Sequence, residues 1–102
     1  MELRVLRYFL TVAREESITK AAEVLHITQP TLSRQLAKME EDMGVTLFHR
    51  GTRKISLTNE GILLRRRAEE ILQLVEKTEQ ELTEQEEQVE GKVSIGCGEM
   101  AS

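Results

Sequence analysis

The sequence predicts a mainly α fold: a winged helix-turn-helix, with three helices plus a two-stranded β-wing, followed by a long linker helix. Three observations predict it. Two helical patterns, 17–25 and 28–43, are separated only by His26-Ile27-Thr28, too short for anything but a tight turn. Two short β-type runs then flank a glycine-containing turn. From Thr58 the helical pattern returns and runs to about Val89.

Each element has a local cause. Leu3, Leu6, Leu10 and Ala13 recur at helical spacing beside Val5, Phe9 and Val12, giving a first helix over 2–15 with a wide apolar face. Glu15-Glu16 breaks it. Ser17 is a good N-cap for a short second helix whose Ile18, Ala21, Ala22 and Leu25 share one face, the alanines permitting close helix approach. Thr28 or Gln29 caps the third helix, Pro30 sits in its first turn where a missing N–H costs little, and Gly44 stops it. Val45–Phe48 and Lys54–Leu57 read as strands, with His49-Arg50-Gly51-Thr52-Arg53 as the turn between them. Thr58 caps the last helix, Glu60 complements its dipole, and Gly91 is expected to end it.

Bulk properties narrow the function classes. At 102 residues there is room for one small domain and one protruding element. No apolar run is long enough to span a membrane, and the periodic pattern begins at Met1, so no signal peptide is expected. One cysteine, Cys97, cannot form an internal disulfide, which fits a cytoplasmic protein. The net charge of −4 argues against nucleic acid, but its distribution removes that objection. Residues 1–58 carry nine Lys/Arg against seven Asp/Glu, while residues 59–102 carry five against eleven. A mildly basic head precedes an acidic tail.

Chemistry is concentrated on the third helix and the hairpin. At about 100° per residue from Leu32, the positions Leu36, Met39 and Met43 fall within about 40°, an apolar stripe. Pro30, Arg34 and Ala37 lie opposite, flanked by Thr31, Ser33 and Lys38. That face is small and donor-rich, which suits a helix whose first residues meet base edges in the major groove. Taken alone, an ordinary solvated helix face explains it as well. Arg50, Arg53 and Lys54 crowd the hairpin, and a ribbon carrying arginines can follow a phosphate backbone or enter a narrow minor groove.

The run from Ser17 to Gln35, SITKAAEVLHITQPTLSRQ, resembles the signature of LysR-type transcriptional regulators. Gly44-Val45-Thr46-Leu47-Phe48-His49-Arg50 and Leu57-Thr58-Asn59-Glu60-Gly61 resemble that family's next landmarks, and the similarity extends from residue 1 to about 98. The resemblance implies a winged helix-turn-helix at 1–58, a dimerisation linker helix at 59–90, and the start of a truncated effector-binding domain at 91–102. It implies sequence-specific binding of double-stranded DNA, with DNA contacts from Gln29, Pro30, Thr31, Ser33 and Arg34 and from the wing arginines Arg50 and Arg53; Thr28, Lys38 and Lys54 join the candidate set by their places beside these, and an inverted-repeat site is expected for a two-fold protein. It implies no cofactor for these residues, and a small-molecule inducer for the C-terminal domain. The wing reads Arg50-Gly51-Thr52-Arg53 where many members place the glycine one residue later.

The last helix carries a seam of its own. Leu64, Ala68, Ile71, Val75, Thr78, Leu82, Gln85 and Val89 follow heptad spacing over a helix on the order of 45 Å long, too long to be covered by so small a head. A second chain is the expected cover, giving a homodimer, or a tetramer in the full-length protein, with Leu64, Ala68, Ile71, Val75 and Leu82 in the contact. No catalytic constellation is visible: His26, His49 and Cys97 stand at no metal-binding spacing, and Asp42 has no histidine nearby. An enzyme is therefore not expected. The rival reading is a winged-helix assembly module that never meets DNA; Arg34, Arg50, Arg53 and Lys54 weigh against it, because a protein-contact face favours apolar residues.

Overall fold

The computed structural model describes residues 1–50 and 54–92, with side chains through Gln85. The elements run α1 (Leu3–Glu15), α2 (Ile18–Leu25), α3 (Gln29–Met43), β1 (Phe48–Arg50), β2 (Ile55–Leu57) and α4 (Asn59–Lys92). The chain separates into two units, Met1–Leu72 and Gln73–Ser102. Gly51, Thr52 and Arg53, the expected wing tip, and residues 93–102 of the expected start of an effector-binding domain lie outside the described residues. Among the described residues no helix is long and apolar enough to cross a membrane.

The first unit is built around α1, which packs on α2, α3 and β2. Val5, Leu6, Phe9 and Val12 supply its buried face, while Leu3, expected on that face, is exposed. Ala21 and Ala22 are buried as expected, and Leu32, Leu36 and Met39 complete the helical layer. Phe48 closes the core from the wing side, its ring centroid 5.3 Å from that of Phe9 at an interplanar angle of 47°.

Three helices end in the left-handed conformation. Gly44 at φ 69° is the residue type that position favours, and its N–H and that of Val45 return to the carbonyls of Glu41 and Glu40. Glu16 at φ 57° and His26 at φ 61° do the same without glycine, so His26 is a helix cap. Ser17 caps α2 by accepting from the Lys20 N–H at 3.1 Å.

Besides one-residue differences at the starts of α1 and β2, two boundaries differ from the sequence reading. The first strand is Phe48–Arg50, not 45–48, paired antiparallel as Phe48 with Leu57, His49 with Ser56 and Arg50 with Ile55. Residues 45–47 are already engaged: Val45 caps α3, the Leu47 N–H donates to the Glu40 carboxylate, and the Leu47 carbonyl accepts from the Thr58 N–H. Their polar groups are spent on helices, so the ladder starts later and takes in two residues read as turn. The second difference is Gly91, which does not end α4; the helix continues to Lys92. Glycine weakens a helix interior by about 1 kcal/mol but, unlike proline, keeps its N–H.

The start of α4 is fastened to the wing. Thr58 accepts from the Gly61 N–H at 3.0 Å, the expected cap, and donates its hydroxyl to the Thr46 carbonyl at 2.6 Å. Gly61 is buried, and a Cβ there would collide with the Leu47 carbonyl oxygen and stand 3.1 Å from Leu57 Cδ2. Ala68 is fully buried in the same core, with Leu64 and Leu72 packed against it, so the first unit takes in α4 as far as Leu72. Gly61→Ala should therefore destabilise the chain by about 1–3 kcal/mol through forced displacement of backbone. Thermal unfolding checks this; a midpoint equal to wild type would show that α4 is not seated on Leu47.

Candidate nucleic-acid interface

The start of α3 is ordered by its own side chains. Thr28 is extended, and its Oγ1 accepts from the Thr31 N–H at 3.3 Å while its hydroxyl donates to Thr31 Oγ1 at 2.8 Å. Gln29 Nε2 donates to Ser33 Oγ at 3.3 Å. Thr31 and Ser33 are thus tied into the first turns of the helix, and each hydroxyl keeps capacity for a further hydrogen bond. Pro30 and Arg34 are exposed beside them, and Thr31 and Ser33 are half-buried. Leu32 and Leu36 bury the opposite side, so burial divides α3 into the two faces the periodicity predicts.

The result is a rim of donors at the positive end of a helix dipole, suited to acceptor-rich groove edges and phosphate oxygens. Arg34 has no carboxylate within ion-pair distance among the described residues. Its charge remains available to a partner.

The other expected cations are placed differently. Lys38 lies 3.6 Å from Asp42, both exposed, and lines a surface groove with Met1, Glu2, Arg4 and Met43, at the α1 side of α3. It also contributes to holding the Glu2 carboxyl below its ordinary range, a shift caused chiefly by the hydrogen bond from Arg4 at 2.9 Å. Lys54 stands 3.4 Å from Glu16, both ends again exposed; such a pair contributes little and exchanges readily with other partners. Arg50 projects from β1 to Glu40 at 3.2 Å, with its guanidinium carbon 6.0 Å from the Phe48 ring centroid. Arg53 lies outside the described residues.

Sequence reasoning missed Glu40. Its carboxylate accepts from the Leu47 N–H at 2.7 Å and the Phe48 N–H at 3.4 Å, and pairs with Arg50, joining α3 to β1. The one hint in the sequence is its place at about 80° from Leu32, beside the apolar stripe, whereas Glu41 falls at about 180°.

Of the expected dimer residues, Ala68 is buried in this chain's own core and Leu64 is packed against it. Ile71 is exposed, Val75 half-buried and Leu82 exposed. Leu74, absent from the expected seam, is 63% exposed, the most of any large aliphatic among the described side chains of α4. Among the described residues no group of His, Cys, Asp or Glu could hold a metal ion.

Comparison with known proteins places this geometry. Residues 3–62 match the model of the bacterial regulatory helix-turn-helix protein, lysR family. The HTH-type transcriptional regulator BsdA of Bacillus subtilis is 46% identical over 97 residues, covering 94% of this chain and 33% of that protein. BenM of Acinetobacter baylyi, also an HTH-type transcriptional regulator, is 54% identical over 61 residues, 60% of this chain and 20% of that protein. The chain thus spans about a third, or less, of these relatives' length. Among solved structures, the complex of the BenM DBD with catB site 1 DNA superimposes with a TM-score of 0.80 at 43% identity, covering 82% of this chain and 93% of that one. The CbnR DBD–DNA complex gives 0.78 at 37% identity, covering 81% and 95%. The relatives are transcriptional regulators by name, not enzymes, and this chain belongs to the lysR family of bacterial regulatory helix-turn-helix proteins.

Proposed function

We propose that the chain binds operator DNA as a homodimer, with α3 in the major groove and the β-wing along the minor groove. The observation that carries this reading is the donor face of α3: Thr31 and Ser33 with hydroxyl capacity to spare, exposed Pro30, and Arg34 with no acid partner among the described residues. Likeness to two relatives solved with DNA supports it. A protein-assembly face would be expected to present apolar groups where these donors stand.

The dimer follows from symmetry and from apolar exposure. An inverted-repeat site is matched by a two-fold protein. Ile71, Leu74 and Leu82 are exposed on α4, as is Leu3 on α1, and a second copy is the natural cover. A domain beyond these residues would sense a small-molecule inducer, in keeping with the fraction of the relatives' length that this chain spans, and the full-length protein would be a dimer or tetramer in the cytoplasm.

Two measurements test this reading. A duplex selected by the wild-type chain from a random library, and an unselected duplex, are titrated against salt. Ser33→Ala or Thr31→Ala should cost about 1–3 kcal/mol on the selected duplex alone. Arg53→Ala and Lys54→Ala should weaken both duplexes and flatten the log–log salt slope by about 0.9 per lost phosphate contact. Equal losses on both duplexes from the α3 variants would refute base reading by α3. Separately, sedimentation should find a dimer at micromolar concentration, shifted toward monomer by Ile71→Glu or Leu82→Glu. A monomeric wild-type chain would remove the dimer.

A further inference from the structure

We propose that Arg50 is a positioning residue of the wing rather than a DNA contact, and that Glu40 and Arg50 together set the wing's angle against α3; this rests on the DNA-binding reading above. Among the described residues Glu40 is the only acid whose carboxylate accepts from backbone N–H groups: one oxygen accepts from the Leu47 and Phe48 N–H groups, and the other pairs with Arg50. Its side chain is 13% exposed, against 54% for Glu16 in the other wing pair and 64% for Asp42 in the α3 pair, while the Arg50 side chain is itself 47% exposed, so it is the acid and not the cation that is withdrawn from water. A carboxylate withdrawn from water needs a compensating charge, and Arg50 supplies it. The Arg50 guanidinium also covers the Phe48 ring, which is itself locked on Phe9. One acid on α3 thereby fixes the direction in which β1 leaves the core, about two helical turns beyond Ser33 on the same helix.

The charge balance makes the claim distinct from the ordinary wing reading. A cation neutralised within the protein displaces few counterions from DNA, so it adds little to the salt dependence of binding. Lys54, in its exposed pair, can exchange Glu16 for a phosphate; Arg50 would first have to leave Glu40 uncompensated.

The test uses the whole 102-residue chain and the selected and unselected duplexes, with Arg34→Gln as the reference for a lost DNA cation. Glu40→Gln keeps a carbonyl oxygen for the Leu47 N–H and loses the charge that holds Arg50. Arg50→Gln and Glu40→Gln should each lower affinity for the selected duplex by about tenfold, leave unselected duplex nearly unchanged, and leave the salt slope at its wild-type value. The double variant should lose no more than either single one. If Arg50→Gln flattens the slope as Arg34→Gln does, or Glu40→Gln steepens it and tightens binding, Arg50 is a phosphate contact and the proposal falls. Equal weakening of both duplexes in step with a lowered melting temperature would also overturn it, leaving a role in stability alone. A wild-type chain with no salt-dependent binding to any duplex would defeat the DNA reading itself. The pair is then judged by melting without DNA, where additive effects of the two substitutions would exclude a coupled clamp.

Discussion

The dipeptide Leu47-Phe48 is the constraint on which the rest of this structure depends. Its side chains are buried, its two N–H groups belong to Glu40 of α3, and its Leu47 carbonyl belongs to Thr58 at the head of α4. The third helix, the wing and the start of α4 therefore meet at one short stretch of backbone. Gly61 is what lets α4 come so close, since any side chain there would strike the same carbonyl. Phe48 extends the junction to α1 through Phe9. A change at this point would disturb three elements together, whereas the outer face of α3 can vary without touching it.

That separation leaves the outer face of α3 free of structural duty. The α3 residues proposed to read DNA are ordered by local hydrogen bonds among themselves, from Thr28 to Thr31 and from Gln29 to Ser33. Their support is the buried opposite face, Leu32 and Leu36, which holds the helix in place whatever stands outside. Core packing and the proposed DNA contacts thus fall on different faces of the same helix.

Much of this was legible in the sequence, for reasons that vary by element. The four helices and their caps follow from periodicity and from Ser17, Thr28, Gly44 and Thr58, signals that act over three or four residues. The outward set on α3 follows from the same periodicity. The first strand differs because 45–47 has strand-like composition while its polar groups are spent on the two flanking helices, five to twelve residues away. Glu40 went unnoticed for a related reason: its partners lie seven, eight and ten residues away across a helix end, where no local pattern points. Ala68 reads as a heptad residue and is one by spacing, yet it is buried in its own chain, because a small side chain suits close packing against the head as well as a seam. Only three-dimensional placement separates those two uses.

The central claim is that nucleic acid meets the N-terminal rim of α3 and the wing together. Amide resonances followed during titration with the selected duplex test it most directly. The account predicts the largest shifts at Thr28 to Arg34 and at the hairpin from His49 to Lys54, with Glu2, Arg4 and Met43 at the α1 side of α3 little changed. Shifts concentrated on that α1 side, with the α3 rim unmoved, would contradict it.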